Sequence, residues 1–248
     1  MSIMIHPEFK RLKDYLADLI LEHETLTSQT CPELKHEYLI HFGYVEFVLY
    51  RKDVQLSKLK RKLSLIQIQI NNEEDIDIRL IDEIIKKEFK QYEENIQKQK
   101  EELVNAQNED MGEFLSNEDS KKLKAIYKKC VFKLHPDLNE GVSNEDINLF
   151  IKMTDAFKKG DLKTLESLYY LISDDDGLDS ASEIDKLHEL IEDMELKIRK
   201  IKEDFPYNKK ELLLDVKKRE SYKKQLETLI IQYDEEIQAY NEKISKLI

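Results

Sequence analysis

Ser120-Lys-Lys-Leu-Lys-Ala-Ile-Tyr-Lys-Lys-Cys-Val-Phe-Lys-Leu134 runs directly into His135-Pro136-Asp137. Leu123, Tyr127, Cys130 and Leu134 stand at i, i+4, i+7 and i+11, which places them on one stripe of a helix. Pro136 ends that helix, because the residue before a proline is pushed out of helical geometry. Beyond the tripeptide, Phe150, Met153, Ala156 and Phe157 recur at helical spacing. The reading is two helices whose stripes pack together, with Phe150, Met153 and Phe157 against the first stripe. The loop between them offers His135 and Asp137 at a helix end.

The tetrapeptide Ser-Asn-Glu-Asp occurs at 116–119 and again at 143–146. Each copy fits a helix start, with a serine cap and carboxylates in the first turn to suit the helix dipole. The two copies bracket the two helices and predict where each begins.

Charge singles out the same segment. Residues 116–137 hold six lysines (Lys121, Lys122, Lys124, Lys128, Lys129 and Lys133) against Glu118, Asp119 and Asp137. That is a net +3 within a chain of net −12, which leaves −15 for the remainder. An acidic chain is a poor general binder of nucleic acid or anionic membrane, so neither is expected as a partner. A basic island on it suits a local acidic surface on a partner protein.

Composition extends the helical reading to the whole chain. Its 248 residues are 37% charged and include only 5 Gly and 4 Pro, so few breakers interrupt the pattern. Lys, Glu, Leu and Gln are strong helix formers. The expected class is all-α and elongated, with antiparallel coiled-coil hairpins flanking a small helical domain.

Four regions follow. Residues 1–111 read as an N-terminal helical, coiled-coil hairpin region. A helix from Pro7 to Ser28 comes first, then Thr30-Cys31-Pro32-Glu33 as a capping box for a second helix. That second helix is apolar on most sides from Leu39 to Tyr50, which predicts burial, and carries a seam through Leu56, Leu59, Leu63, Ile66 and Ile70. Asn71 to Asp75 breaks the pattern, and a third helix spans Ile76 to Ala106, folding back on the second. Residues 112–172 form the central domain and 173–182 an acidic linker. Residues 183–248 carry stripes through Ile184, Leu187, Ile191, Met194, Ile198, Ile201 and Phe205, and through Leu226, Ile230, Tyr233, Ile237, Tyr240, Ile244 and Leu247. Pro206 stops the first of these helices, and Asn208 to Glu211 can cap the next. These predict a C-terminal coiled-coil hairpin, with a homodimer through intermolecular pairing as the alternative.

Residues 112–172 resemble a J domain of the DnaJ co-chaperone superfamily. The residues that carry the likeness are His135-Pro136-Asp137, Tyr127 eight residues upstream, Lys128-Lys129, then Cys130, Phe132 and Leu134, with Lys124 one turn earlier. Phe150, Met153, Ala156 and Phe157 match the family's helix after the loop. The resemblance implies a DnaK-class heat-shock ATPase as partner. It implies docking through His135, Pro136, Asp137, Lys121, Lys124, Lys128, Lys129 and Lys133, and stimulation of ATP hydrolysis with no catalytic group supplied by this chain. The coiled coils would select a client or a location. Three features depart from the family pattern. Its first short helix has no counterpart with the usual motifs, and either Met111-Gly-Glu-Phe-Leu115 or the end of the third helix is left to do that packing. Leu138 stands where a basic residue is usual. No Gly/Phe-rich region or cysteine-rich zinc domain follows.

Rival readings are a structural adaptor whose J-like unit merely joins coiled coils, and an acid/base dyad of His135 and Asp137. The dyad lacks cleft glycines or a further polar cluster. No cofactor or metal is implied: Cys31, His36 and His41 step by five, which does not stack ligands on one helical face. Two cysteines without a CxxC spacing give no disulfide framework. The most apolar stretch, Tyr38 to Tyr50, is too short to span a bilayer, and no signal peptide opens the chain. A soluble, cytoplasmic protein is the expectation.

Overall fold

The computed structural model describes residues 7–108, 115–139, 141–169, 172 and 181–248. Among these residues every regular element is helical, so the class is all-α. The segment 111–114 and linker residues 173–180 lie outside the described residues. The linker ends earlier than expected, because a helix already begins at Ala181.

The chain divides into two compact units, one of Met1–Lys35 with Met111–Asn208 and the other of His36–Asp110 with Lys209–Ile248. This division differs from the expected 1–111 region, 112–172 domain and 183–248 hairpin. The helices run α1 (Pro7–Thr25), α2 (Cys31–Tyr38), α3 (Tyr44–Asn71), α4 (Ile78–Glu88), α5 (Lys90–Asn108), α6 (Asn117–Leu134) and α7 (Asn144–Lys158). There follow α8 (Leu162–Tyr169), α9 (Ala181–Glu203), α10 (Lys210–Leu214) and α11 (Val216–Ser245).

The backbone does not break at Thr30. Single π-turns at Leu26–Thr30 and Leu39–Gly43 carry helix from Pro7 to Asn71. The physical reason is Pro32, which lacks an N–H and crowds the carbonyl four residues back. The wider turn before it, closed by the Cys31 N–H on the Leu26 carbonyl, relieves that crowding, so a helix start is not needed.

In the first unit, α6 and α7 lie antiparallel around the His135 loop, and α8 covers both. Both Ser-Asn-Glu-Asp copies cap as expected: Ser116 Oγ accepts the Asp119 N–H and Ser143 Oγ the Asp146 N–H, each at 3.1 Å. At its other end α7 stops at Gly160, whose φ of +69° lets its N–H reach Phe157 while the Asp161 N–H reaches Ala156. Asp161 then caps α8 by accepting the Thr164 N–H.

The remaining walls come from far along the chain. α1 runs antiparallel to α6, with Lys13 beside Phe132 and Asp18 on Lys128. α9 runs parallel to α1: Tyr15 bonds Glu195 and Lys202 bonds Glu22, both pairs 180 residues apart. Leu16, Ala17 and Ile20 of α1 and Leu187, Ile191 and Ile198 of α9 therefore share one core with Tyr127 and Phe157.

In the second unit α3 is the central rod. Lys58, Arg61 and Lys62 pair with Glu93, Glu88 and Asp82, and the shrinking sequence separations define the expected antiparallel hairpin with α4 and α5. Asp77 caps α4 by accepting the Leu80 N–H. The single third helix is divided at Phe89, which leaves helical geometry. α11 lies parallel to α3, with Tyr233 on Asp53 at a separation of 180 and Arg219 on His41 at 178. Ile244 joins Ile66, Ile81 and Ile85 in one cluster.

The C-terminal hairpin is thus not formed: α9 packs on α1 and α11 on α3. A 3-4 stripe is satisfied by any complementary stripe, so the sequence did not specify which. Phe205 is exposed because α9 ends at Glu203, and Asp215, rather than Asn208 to Glu211, caps the last helix. The Leu39–Tyr50 stretch is buried on one face only, with Tyr38, Phe42 and Phe47 inside while Ile40 and Tyr44 are 50% and 67% exposed.

Candidate functional site

The site begins with the core under it. Leu123, Tyr127, Cys130, Leu134, Met153 and Phe157 are all buried, as their spacing predicts. Phe150 is only half-buried, at the rim. The Tyr127 ring stacks on Phe157 at 4.1 Å and 12°, and its hydroxyl lies 3.1 Å from Thr154 Oγ1. Such a stack adds about 1 kcal/mol to the burial of two large rings. Burial raises the Tyr127 phenol above its usual range and pushes the Cys130 thiol up to about 12, so Cys130 acts as a small apolar filler.

On this base α6 ends where Pro136 requires. His135 is its C-cap, with ψ 127°, and the loop turns back as the Leu138 and Asn139 N–H groups bond the His135 carbonyl. Two side chains anchor the turn. Leu138 is 5% exposed and enters the core. Burying a leucine stabilises by roughly 2 kcal/mol, and a lysine in its place would carry an unpaired charge inward. That is the physical content of the departure at this position. Asn139 Nδ2 donates to the carbonyls of Phe132 and His135, while its Oδ1 accepts from Lys13 Nζ at 2.7 Å. Lys13 also sits 5.2 Å from the centre of the Phe132 ring.

Pro136 and Asp137 are consequently exposed on a braced loop. His135 is half-buried and stands edge-on to Phe150 at 5.3 Å. Its Nδ1 accepts the Asp137 N–H at 3.1 Å, which leaves the proton of the neutral ring on Nε2. Burial lowers the His135 pKa, and the nearby Asp137 carboxylate only partly opposes this. The imidazole is therefore neutral at pH 7, with Nε2–H as a donor.

The lysines are not equivalent. Lys121 is exposed and Lys124 half-buried, and among the described residues neither meets a carboxylate. Lys129 is exposed and lies 5.8 Å from the Tyr169 ring centre. Lys122 pairs with Glu118. Lys128, expected on the docking face, is held by Asp18 at 2.6 Å. Lys133 is half-buried near the loop. The wall on this side of α6 comes from α1, about a hundred residues upstream. Lys13, Asp18 and Asn139 were not legible as site residues, because none of them stands near the motif in a recognisable pattern.

Among the described residues no three His, Cys, Asp or Glu side chains converge as metal ligands, and no helix is long and apolar enough to cross a membrane. No family model, curated protein or solved structure matches the chain.

Proposed function

We propose that the first unit is a J-like co-chaperone module. In this reading it binds a DnaK-class heat-shock ATPase through His135-Pro136-Asp137 and Lys121, Lys124 and Lys129 of α6. It stimulates ATP hydrolysis without a catalytic group of its own, and the long helices select client or location. The observation that carries the reading is the exposed, braced Pro136–Asp137 turn at the end of the helix that carries Lys121, Lys124 and Lys129. A fixed turn loses little entropy on docking, and unpaired lysines can steer an acidic surface toward it.

Capture on an immobilised DnaK-class chaperone with ATP tests the contact. Wild type is retained, while His135→Gln and the pair Lys124→Glu/Lys129→Glu each lose at least tenfold in affinity. Equal capture of all three contradicts the reading.

A second reading has its own observation. Lys128 is already neutralised by Asp18, and Leu138 is committed to the core. This favours a structural adaptor in which the J-like unit merely joins the long helices. The adaptor predicts that reversing Lys124 and Lys129 leaves every partner interaction unchanged.

A further inference from the structure

α3 and α5 touch at both ends of their shared length and part in the middle. At one end Lys58 pairs with Glu93. At the other, the tip of Leu103 packs against Gly43, and a side chain there would push that leucine aside. Between these contacts runs a groove of about 730 Å³, floored by Phe47, Val54, Leu59 and Ile96. The sequence explains the opening. The α5 stripe steps from Ile96 to Leu103, and the 3-4 step between them falls on Gln99 or Lys100. α5 supplies no apolar knob there, so the seam keeps a hole.

The rim is basic. Arg51 and Lys100 line the groove and are exposed, and among the described residues neither makes an ion pair. Lys52 and Lys58 stand in the same wall but are held by Asp234 and Glu93, so the charge offered to a ligand is that of Arg51 and Lys100. On a chain of net −12 this is a local reversal of sign.

We propose that this groove receives an acidic amphipathic helix from a partner protein. Apolar side chains at i, i+3 or i+4, and i+7 fill the missing α5 position, and flanking Glu or Asp meet Arg51 and Lys100. From Phe47 to Leu59 the floor is about 18 Å long, which suits about twelve helical residues. So short a helix is marginal alone and forms on the groove. The inference stands independently of any chaperone contact at His135.

The test is a display library of 18-residue amphipathic peptides, with apolar and charged positions randomised, selected on the full chain. The selected peptides carry acidic flanks. In labelled form they lose at least tenfold in affinity for Arg51→Glu/Lys100→Glu and weaken as salt rises. Both substituted side chains are exposed, and circular dichroism checks that the variant stays helical. Gln97→Leu, which puts an apolar side chain into the groove from α5, also lowers affinity. Three results would overturn the proposal: no enrichment of acidic amphipathic sequences, equal binding to the reversed chain, or a self-dimer in sedimentation that the Arg51→Glu/Lys100→Glu reversal abolishes.

Discussion

The two units hold themselves together by different means. The first converges on a few large, fully enclosed side chains, with Tyr127, Phe157, Met153 and Leu165 each 0 or 1% exposed. The second is zipped along narrow seams, where Ile66 and Ile81 are enclosed while ion pairs such as Lys62–Asp82 line the exposed edges. Stability should therefore be concentrated in the first unit and spread thinly in the second. A converging core also braces a loop from several sides, which a seam cannot do.

The sharpest break of this contrast is Phe157→Ala. Removing a fully buried aromatic ring costs about 4 kcal/mol. Denaturant unfolding followed by Tyr127 and its neighbours should show that loss in the first unit. Ile66→Ala in the second, a truncation to the same alanine in a narrow seam, should cost about 2 kcal/mol. Equal costs would erase the distinction.

A cap carries the next effect. Ser143→Ala leaves the Asp146 N–H without its acceptor and should cost about 1 kcal/mol in the same measurement. Retained stability would mean that tertiary packing alone holds the start of α7.

The pH response sharpens the comparison in another way. The folded His135 pKa lies below the ordinary value of 6.5. The neutral ring therefore favours the folded state above about pH 6.5, and that contribution is lost as pH falls through the folded value. Stability of the first unit should drop on mild acidification, and His135→Asn should flatten the drop.

The smallest effect belongs to the seam edge. Lys62→Ala removes the exposed Lys62–Asp82 pair and should move the melting midpoint by less than about 2 °C. A larger shift would place real stability in the exposed ion pairs.

The same contrast explains what could be read from residues alone. Ser116, Ser143 and the Asn71–Asp75 break act locally, so their short sequence signals suffice. The stripe through Leu123, Tyr127, Cys130 and Leu134 has a loop and a partner helix close by, which leaves little choice of packing. The stripes of α9 and α11 have no such neighbour. Their heptads carry no address, and they pair with α1 and α3 at separations near 180 rather than with each other. Pro32 misled because a π-turn absorbs it more cheaply than a helix break would. Leu138 read as a departure from a binding motif, and its burial could be seen only once α1 closed over the loop.

We propose above that the braced His135 loop acts on a DnaK-class ATPase. Single-turnover ATP hydrolysis by such a chaperone, with and without this protein, tests it most directly. Wild type should accelerate hydrolysis at least tenfold, and His135→Gln, folded by circular dichroism, should not. No acceleration by wild type, or equal acceleration by His135→Gln, would contradict it.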